Sequence, residues 1–374
     1  MESRRVANIT VVVKRGLTRS LVSSLSSAGI VDYNISPARL IVLHERRKGF
    51  GMVGPFRLME EQGDILSFVV EPSQEDAALD SIIQQAELNT PGRGSVFSEQ
   101  TNMFEPPDMF PPNRLSQDAH HSIRKRSRLT GICCIVQRGK ANIIARVALD
   151  AGACVPAISF GIGTGIRDKL GLLRIAVPAE KEIIHLAVSN FDAETIMKMM
   201  VNAGSLDQPG KGFIFTYPIA KGLIDTKITH GITRHVASME QIIATLDELK
   251  GDTGWRKRSL QTIVMQNERY LLHDLADLAL ICNEGRAQDM VKAAMRAGAG
   301  GATIGRVSYQ GSSDPANRFI SAARESCNMA VEKSRLDSIL NALEESGVFD
   351  EKTCGRILVR SVPKAFTYVR PSRK

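Results

Sequence analysis

Three stretches of this chain share one spacing: RGLTRSLVSSLSSAG at residues 15–29, RGKANIIARVALDAG at 138–152 and EGRAQDMVKAAMRAG at 284–298. In each, the glycine at the second position stands 13 residues ahead of the closing glycine. Counted from the first glycine, positions 5, 9 and 12 are Leu21, Leu25 and Ala28, then Ile144, Ala148 and Ala151, then Met290, Ala294 and Ala297. Steps of four and three place these side chains on one face of a helix. The closing glycine suits a helix C-terminus, where the backbone often turns left-handed. Ahead of each stretch lies a short apolar run, at 9–13, 132–136 and 278–282, of the length and type of a buried strand.

A second set of anchors follows at matching distances. Asp64, Glu182 and Glu325 each precede by 28 to 30 residues a tight turn, Gly92-Arg93-Gly94, Gly210-Lys211-Gly212 and Thr353-Cys354-Gly355. Between acid and turn, Ala78, Leu79 and Ile82, then Ile196, Met197 and Met200, then Ile339, Leu340 and Leu343 mark another helical face. Apolar runs at 65–70, 183–188, 213–215 and 357–359 read as strands. Only the stretch from the closing glycine to the acid varies, being 35, 30 and 27 residues long. Elements in a core cannot change length and keep register, so an exposed loop is expected there. The sequence therefore predicts an α+β fold in which β-α-β-loop-β-α-β, the ferredoxin-like split βαβ order, occurs in tandem three times. Three such units in one chain are expected to assemble as a single-chain pseudo-trimer. The repeats are set at 1–102, 128–223 and 277–374. A Pro-rich, basic linker spans 103–127, and a helical linker spans 224–276 with an amphipathic helix over 239–249.

The chain has 374 residues, a formal charge of +8, one tryptophan and six cysteines. No pair of cysteines has CxxC spacing, which excludes a regular zinc or disulfide framework and leaves them as small buried hydrophobes. No apolar stretch is long enough to span a membrane and no secretory pattern is present, so a cytoplasmic protein without membrane insertion is expected. Basic runs at 124–128 and 256–258 read as solvated linkers, as a footprint for nucleic acid, or as attraction for an acidic partner or anionic ligand. Aromatic residues do not alternate with these charges as a single-strand-binding surface requires. No His, Cys or Asp cluster recurs between the repeats, and the chain is expected not to be an enzyme.

The middle repeat carries Gly161-Ile162-Gly163-Thr164-Gly165, Glu180-Lys181-Glu182-Ile183 and Pro209-Gly210-Lys211-Gly212-Phe213-Ile214-Phe215; the last carries Ile281-Cys282-Asn283-Glu284-Gly285 and Ala297-Gly298-Ala299-Gly300-Gly301-Ala302-Thr303. In this order the motifs resemble the PII signal-transduction superfamily, especially its tandem-repeat members. The resemblance covers most of 8–100, 130–222 and 277–362. It implies trimeric packing of ferredoxin-like units with their sheets inward and ATP, ADP or AMP in the clefts between them. It also implies long loops that control a partner protein, an enzyme or a transporter. By family position, Gly92, Arg93 and Gly94, and Gly210, Lys211 and Gly212, match the turn that cradles nucleotide phosphates. Gly300, Gly301 and Thr303 match the contacts to the base.

Read without the resemblance, the turns are equally tight connections with an exposed basic residue, because free backbone N–H groups and a cation serve either purpose. Thr303 can serve a ligand or a strand edge. Glu180 and Lys181 can hold a ligand between repeats or form a salt-bridged strand start. Three departures from the family stand out, the first being that the pair of arginines near the family's C-terminus has no convincing match. The lysine that follows the turn is replaced by Ser95, Phe213 and Arg356, and Lys48-Gly49-Phe50-Gly51 lies too far from Ala28-Gly29 to align without an insertion. The readings carried forward are a regulator sensing a nucleotide or other anionic metabolite, a scaffold indifferent to small molecules, and a nucleic-acid binder acting through its basic linkers.

Overall fold

The recurring acid fastens the first helix of each third to the sheet. In the computed structural model, which describes residues 2–44, 57–106, 109–115, 123, 125–165, 180–225, 271–311 and 318–368, Glu182 Oε2 accepts the backbone N–H groups of Gly139 and Ala141, each at 2.9 Å. Glu325 Oε2 does the same for Gly285 and Ala287, at 3.0 and 2.9 Å. These N–H groups sit at a helix start, where no intrahelical partner exists and the macrodipole favours negative charge. Asp64 is one methylene shorter. It accepts from the Thr18 hydroxyl at 2.7 Å and pairs with Arg15 at 3.1 Å. The three closing glycines all have positive φ, 84° at Gly29, 90° at Gly152 and 112° at Gly298, as a helix end of this kind requires.

The chain is a mixed α/β protein with one large antiparallel sheet and, among the described residues, six α-helices. Its first third runs β1 (Arg4–Lys14), α1 (Arg15–Ser27), β2 (Tyr33–His44), β3 (Arg57–Val70), α2 (Glu75–Gln85) and β4 (Gly94–Phe104). The middle third runs β5 (Leu129–Gln137), α3 (Ala141–Asp150), β6 (Ala157–Gly165), β7 (Glu180–Ser189), α4 (Ala193–Gly204), β8 (Gly212–Ile219) and a short β9 (Lys221–Leu223). The last runs β10 (Leu275–Asn283), α5 (Ala287–Arg296), β11 (Gly301–Gln310), β12 (Ala323–Glu332), α6 (Leu336–Glu345), β13 (Arg356–Val362) and β14 (Ala365–Thr367). Strand order within the three is β4-β1-β3-β2, β8-β5-β7-β6 and β13-β10-β12-β11. The strands are longer than their apolar runs. Polar residues of β3 such as Arg57, Glu60 and Gln62 stay in the ladder by pairing with His44, Ile41 and Arg39 of β2, beyond the part that a core covers.

Pairing between the thirds closes a circuit. Arg39 and Leu40 of β2 pair with Ile158 and Ala157 of β6. The other end of β6, Ile162 to Gly165, pairs with Ile304 to Gly301 of β11. The far end of β11, Ser308 to Gln310, returns to Ile35 to Tyr33 of β2. A second circuit runs through the ends of the thirds. The end of β4 pairs with β13, β9 pairs with β4, and β14 pairs with β8. Each third has its own apolar core beneath its two helices, and strand residues divide by parity. Ala7, Ile9, Val11 and Val13 enter the first core, whereas Asn8, Thr10 and Val12 face an interior cavity.

The first linker is not a solvated tether. Phe110, Asn113 and Leu115 are buried. The Asn113 side chain accepts from the N–H groups of Val31 and Asp32 and donates to the carbonyls of Asp32 and Val69. The Lys125 ammonium is enclosed and lies 2.5 Å from an Asp80 carboxylate oxygen. Burial against acidic groups, rather than hydration, absorbs this part of the basic run. Residues 239–249, 256–258 and 48–51 lie outside the described residues.

Glu325→Ala removes a charged acceptor from two helix-start N–H groups, which should destabilise the protein by about 1–3 kcal/mol. Urea unfolding checks this: the midpoint should fall while the slope is unchanged, with a smaller loss for Glu325→Gln.

Candidate functional site

The sequence singled out three turns, and the structure gives them three different surroundings. In the first, Gly92 has φ 79°, and a Cβ on Gly94 would lie 2.1 Å from the Val12 carbonyl oxygen, so close backbone approach alone demands glycine there. The Gly92 N–H donates to the Asp225 carboxylate at 2.5 Å. Asp225 is buried; its own N–H donates to Ser95 Oγ at 2.8 Å and its carbonyl accepts from Val155 N–H at 3.1 Å. An anionic side chain entering from the second linker thus fills the junction between the first and middle thirds. Arg93 turns away, donating from Nε to the Ala86 carbonyl at 2.7 Å and pairing with Glu87 at 3.4 Å, as a basic residue does at a helix C-terminus.

In the middle turn, Gly210 has φ 71°, and a Cβ on Gly212 would come within 2.5 Å of the Ile135 carbonyl oxygen. Its carbonyls are used: Gly210 accepts from Gln137 and Gly212 from the Thr367 hydroxyl. Lys211 is half-buried and has no acidic partner among the described residues. Gly301 opens β11 opposite Gly165, and Gly300, just ahead of the strand, has open space where a side chain would stand. Thr303 is buried, and its methyl packs where Gly161 has no side chain.

The last turn lacks a cation, and two arginines from the adjoining strands supply the charge instead. Arg356 pairs with Asp32 at 2.7 Å and Glu105 at 2.6 Å, with Phe110 stacked 3.9 Å from its guanidinium. Arg324 is fully buried and donates through Nη2 to the carbonyls of Ile281 and Cys354, while its Nε and Nη1 have no hydrogen-bond partner among the described residues. Burial and the neighbouring Arg356 push its pKa down to about 10. The first linker therefore closes the junction of the last and first thirds. Arg324 was not legible as a site residue; its position one residue before the recurring acid, shared with Lys181, is the signal that finds it.

Glu180 and Lys181 belong to a different place. Glu180 pairs with Arg138 at 2.9 Å in the open, the salt-bridged strand start. Lys181 lines the interior cavity, of about 680 Å³, to which all three thirds contribute. On its floor, matching positions five residues beyond Gly94, Gly212 and Gly355 carry Glu99, Tyr217 and Arg360. Arg360 bridges Glu99 at 2.6 Å and Asp277 at 2.8 Å and lies 3.8 Å above the Tyr217 ring. Asn8 donates to the other Glu99 oxygen at 2.9 Å. His185 borders the cavity 3.2 Å from Ser159 Oγ. Enclosure, helped by Arg360, pushes its pKa down to about 4, leaving a neutral ring.

The six cysteines are buried and free, and burial pushes the Cys154 thiol up to about 12, away from nucleophilic use. Among the described residues, no group of His, Cys, Asp and Glu could hold a metal, and no helix is long and apolar enough to cross a membrane. The structure thus separates the sequence-derived residues into turns at different junctions and a cavity wall. No family model and no curated protein matches the chain.

The depressed His185 value lies below its value in the unfolded chain. Its contribution is complete above about pH 6.5 and is lost as pH falls toward 4. Between pH 7 and 4.5 the protein should therefore lose about 2 kcal/mol more stability than the His185→Gln variant, measured by denaturant unfolding at each pH.

Proposed function

We propose that the chain is a non-enzymatic regulator of the PII type, three ferredoxin-like units acting as a pseudo-trimer that senses a nucleotide or similar anion. The recurring element order and the two circuits of pairing support that architecture. One observation carries the ligand reading: the Gly92 turn binds a carboxylate, that of Asp225. A turn of this shape offers a backbone N–H to an anion. The Gly210-Lys211-Gly212 turn has a similar left-handed glycine and adds a lysine without an acidic partner among the described residues. It is the best candidate for an external phosphate, with Gly300, Gly301 and Thr303 on the adjoining third. The segments between β2 and β3, β6 and β7, and β11 and β12 would carry the response to an enzyme or transporter.

Titration calorimetry with ATP, ADP and AMP tests this. One nucleotide should bind per chain, Lys211→Ala should weaken it about tenfold, and Asp225→Ala should free a second, weaker site. No heat and no thermal shift with any of the three would overturn the reading.

A scaffold is the second reading, favoured by the two junctions that the chain fills with its own Asp225 and Phe110. It expects a partner complex that survives both nucleotide and Lys211→Ala in co-purification. Nucleic-acid binding through the linkers is weakened by the enclosure of Lys125 against Asp80; a low-salt gel shift addresses it, since phosphate-driven affinity is strongest there.

A further inference from the structure

The interior cavity has a chemistry of its own, independent of the turns. At about 680 Å³ it falls within the range of small-molecule sites. Its walls are helix-free strand faces, on which every second residue points inward. Most of the lining is apolar, with Ile65, Phe97, Ile183 and Leu358 among it, and set into it are the half-buried polar residues Ser36, Ser67, Ser159, Ser326 and Asn328. Ser36 matches Ser159 seven residues beyond the closing glycine, and Ser67, His185 and Asn328 match three residues beyond the recurring acid. Hydroxyl, amide and neutral imidazole groups therefore recur around the wall at matched heights. Such neutral groups both donate and accept, which suits a ligand that carries hydroxyls.

Cations without a close counter-charge are placed at one end, among the described residues. On the floor, Arg360 is neutralised by Glu99 and Asp277. At the other end, Lys181 is half-buried, and both neighbouring acids are engaged elsewhere: Glu180 with Arg138, and Glu182 with Arg39 and two backbone N–H groups. Arg306 lines the same end, largely exposed; among the described residues its ion pair is a long one, with Glu284 at 3.9 Å, and Glu325, opposite it in the ladder, is engaged with the N–H groups of Gly285 and Ala287. The two cations flank β6, since Gly161 pairs with Lys181 and Ile162 with Ile304, two residues before Arg306. Phe160 and Ile162, both exposed, mark this end as the opening to solvent.

We propose that this cavity is a ligand site for a small hydroxylated anion of the sugar-phosphate class, its phosphate at Lys181 and Arg306 and its hydroxyls on the serine and asparagine wall. The test uses calorimetry on the full chain with glucose 6-phosphate, ribose 5-phosphate and glycerol 3-phosphate, against glucose and inorganic phosphate alone. At least one phosphorylated polyol should bind about tenfold more tightly than inorganic phosphate or glucose. Lys181→Met should remove most of that advantage, Ser326→Leu should block binding by filling the space, and Lys211→Ala should leave binding unchanged. If Ser326→Leu lowers the melting temperature sharply, Ser67→Val serves as the second filling variant. No binding of all three phosphorylated probes, binding no tighter than inorganic phosphate, or loss with Lys211→Ala but not with Lys181→Met each overturns the proposal. The last outcome would place the ligand at the turn, so this test and the nucleotide test fail separately.

Discussion

Three short antiparallel ladders, β2 to β6, β6 to β11 and β11 back to β2, are the constraint on which the rest of the structure depends. Each involves only a few residues, such as Arg39 and Leu40 against Ile158 and Ala157. Together they leave none of the three thirds with an unpartnered second strand, and an edge of that kind is a liability in an isolated sheet. The circuit turns the helix-free faces toward one another. It thereby makes a shared interior out of surfaces that a single third would expose to water. Everything inside that interior, including the Glu99, Tyr217 and Arg360 cluster, follows from closure.

The linkers then acquire a structural task. Asn113 satisfies four backbone groups of the first third, and Phe110 stacks on a guanidinium from the last. Asp225 completes the Gly92 turn from the far end of the middle third. The described parts of these connections, among them residues 109–115 and 224–225, are packed into seams between the thirds. Where a segment supplies its own carboxylate, a small anion must compete with a tethered group, whose effective concentration is high.

The fold was legible where physics is local. The spacing from Gly16 to Gly29 and from Gly139 to Gly152 encodes a helix of fixed length, and the glycine at its end has a stereochemical reason visible in the sequence. Asp64, Glu182 and Glu325 were legible as anchors, although the task, accepting helix-start N–H groups at Glu182 and Glu325 and holding Thr18 and Arg15 at Asp64, needs three dimensions. What could not be read was chemistry between thirds. Glu99, Tyr217 and Arg360 lie over a hundred residues apart; they share one position relative to the recurring turns, but three unlike side chains there give no sign in the sequence that they meet. Arg324 resembles any charge near a strand start until its burial is known. Arg93, conversely, stood out as a ligand for phosphate and is occupied with the end of α2.

The Glu99, Tyr217 and Arg360 cluster also limits how the chain can vary. Acid, ring and base come from three different thirds and are matched to one another, with Arg360 held between Glu99 and Asp277 and above the Tyr217 ring. A change at the acid or the base leaves an enclosed charge without its counterpart, which costs far more than a substitution on the surface. Change on the floor of the cavity has to be concerted, across positions more than a hundred residues apart in the chain.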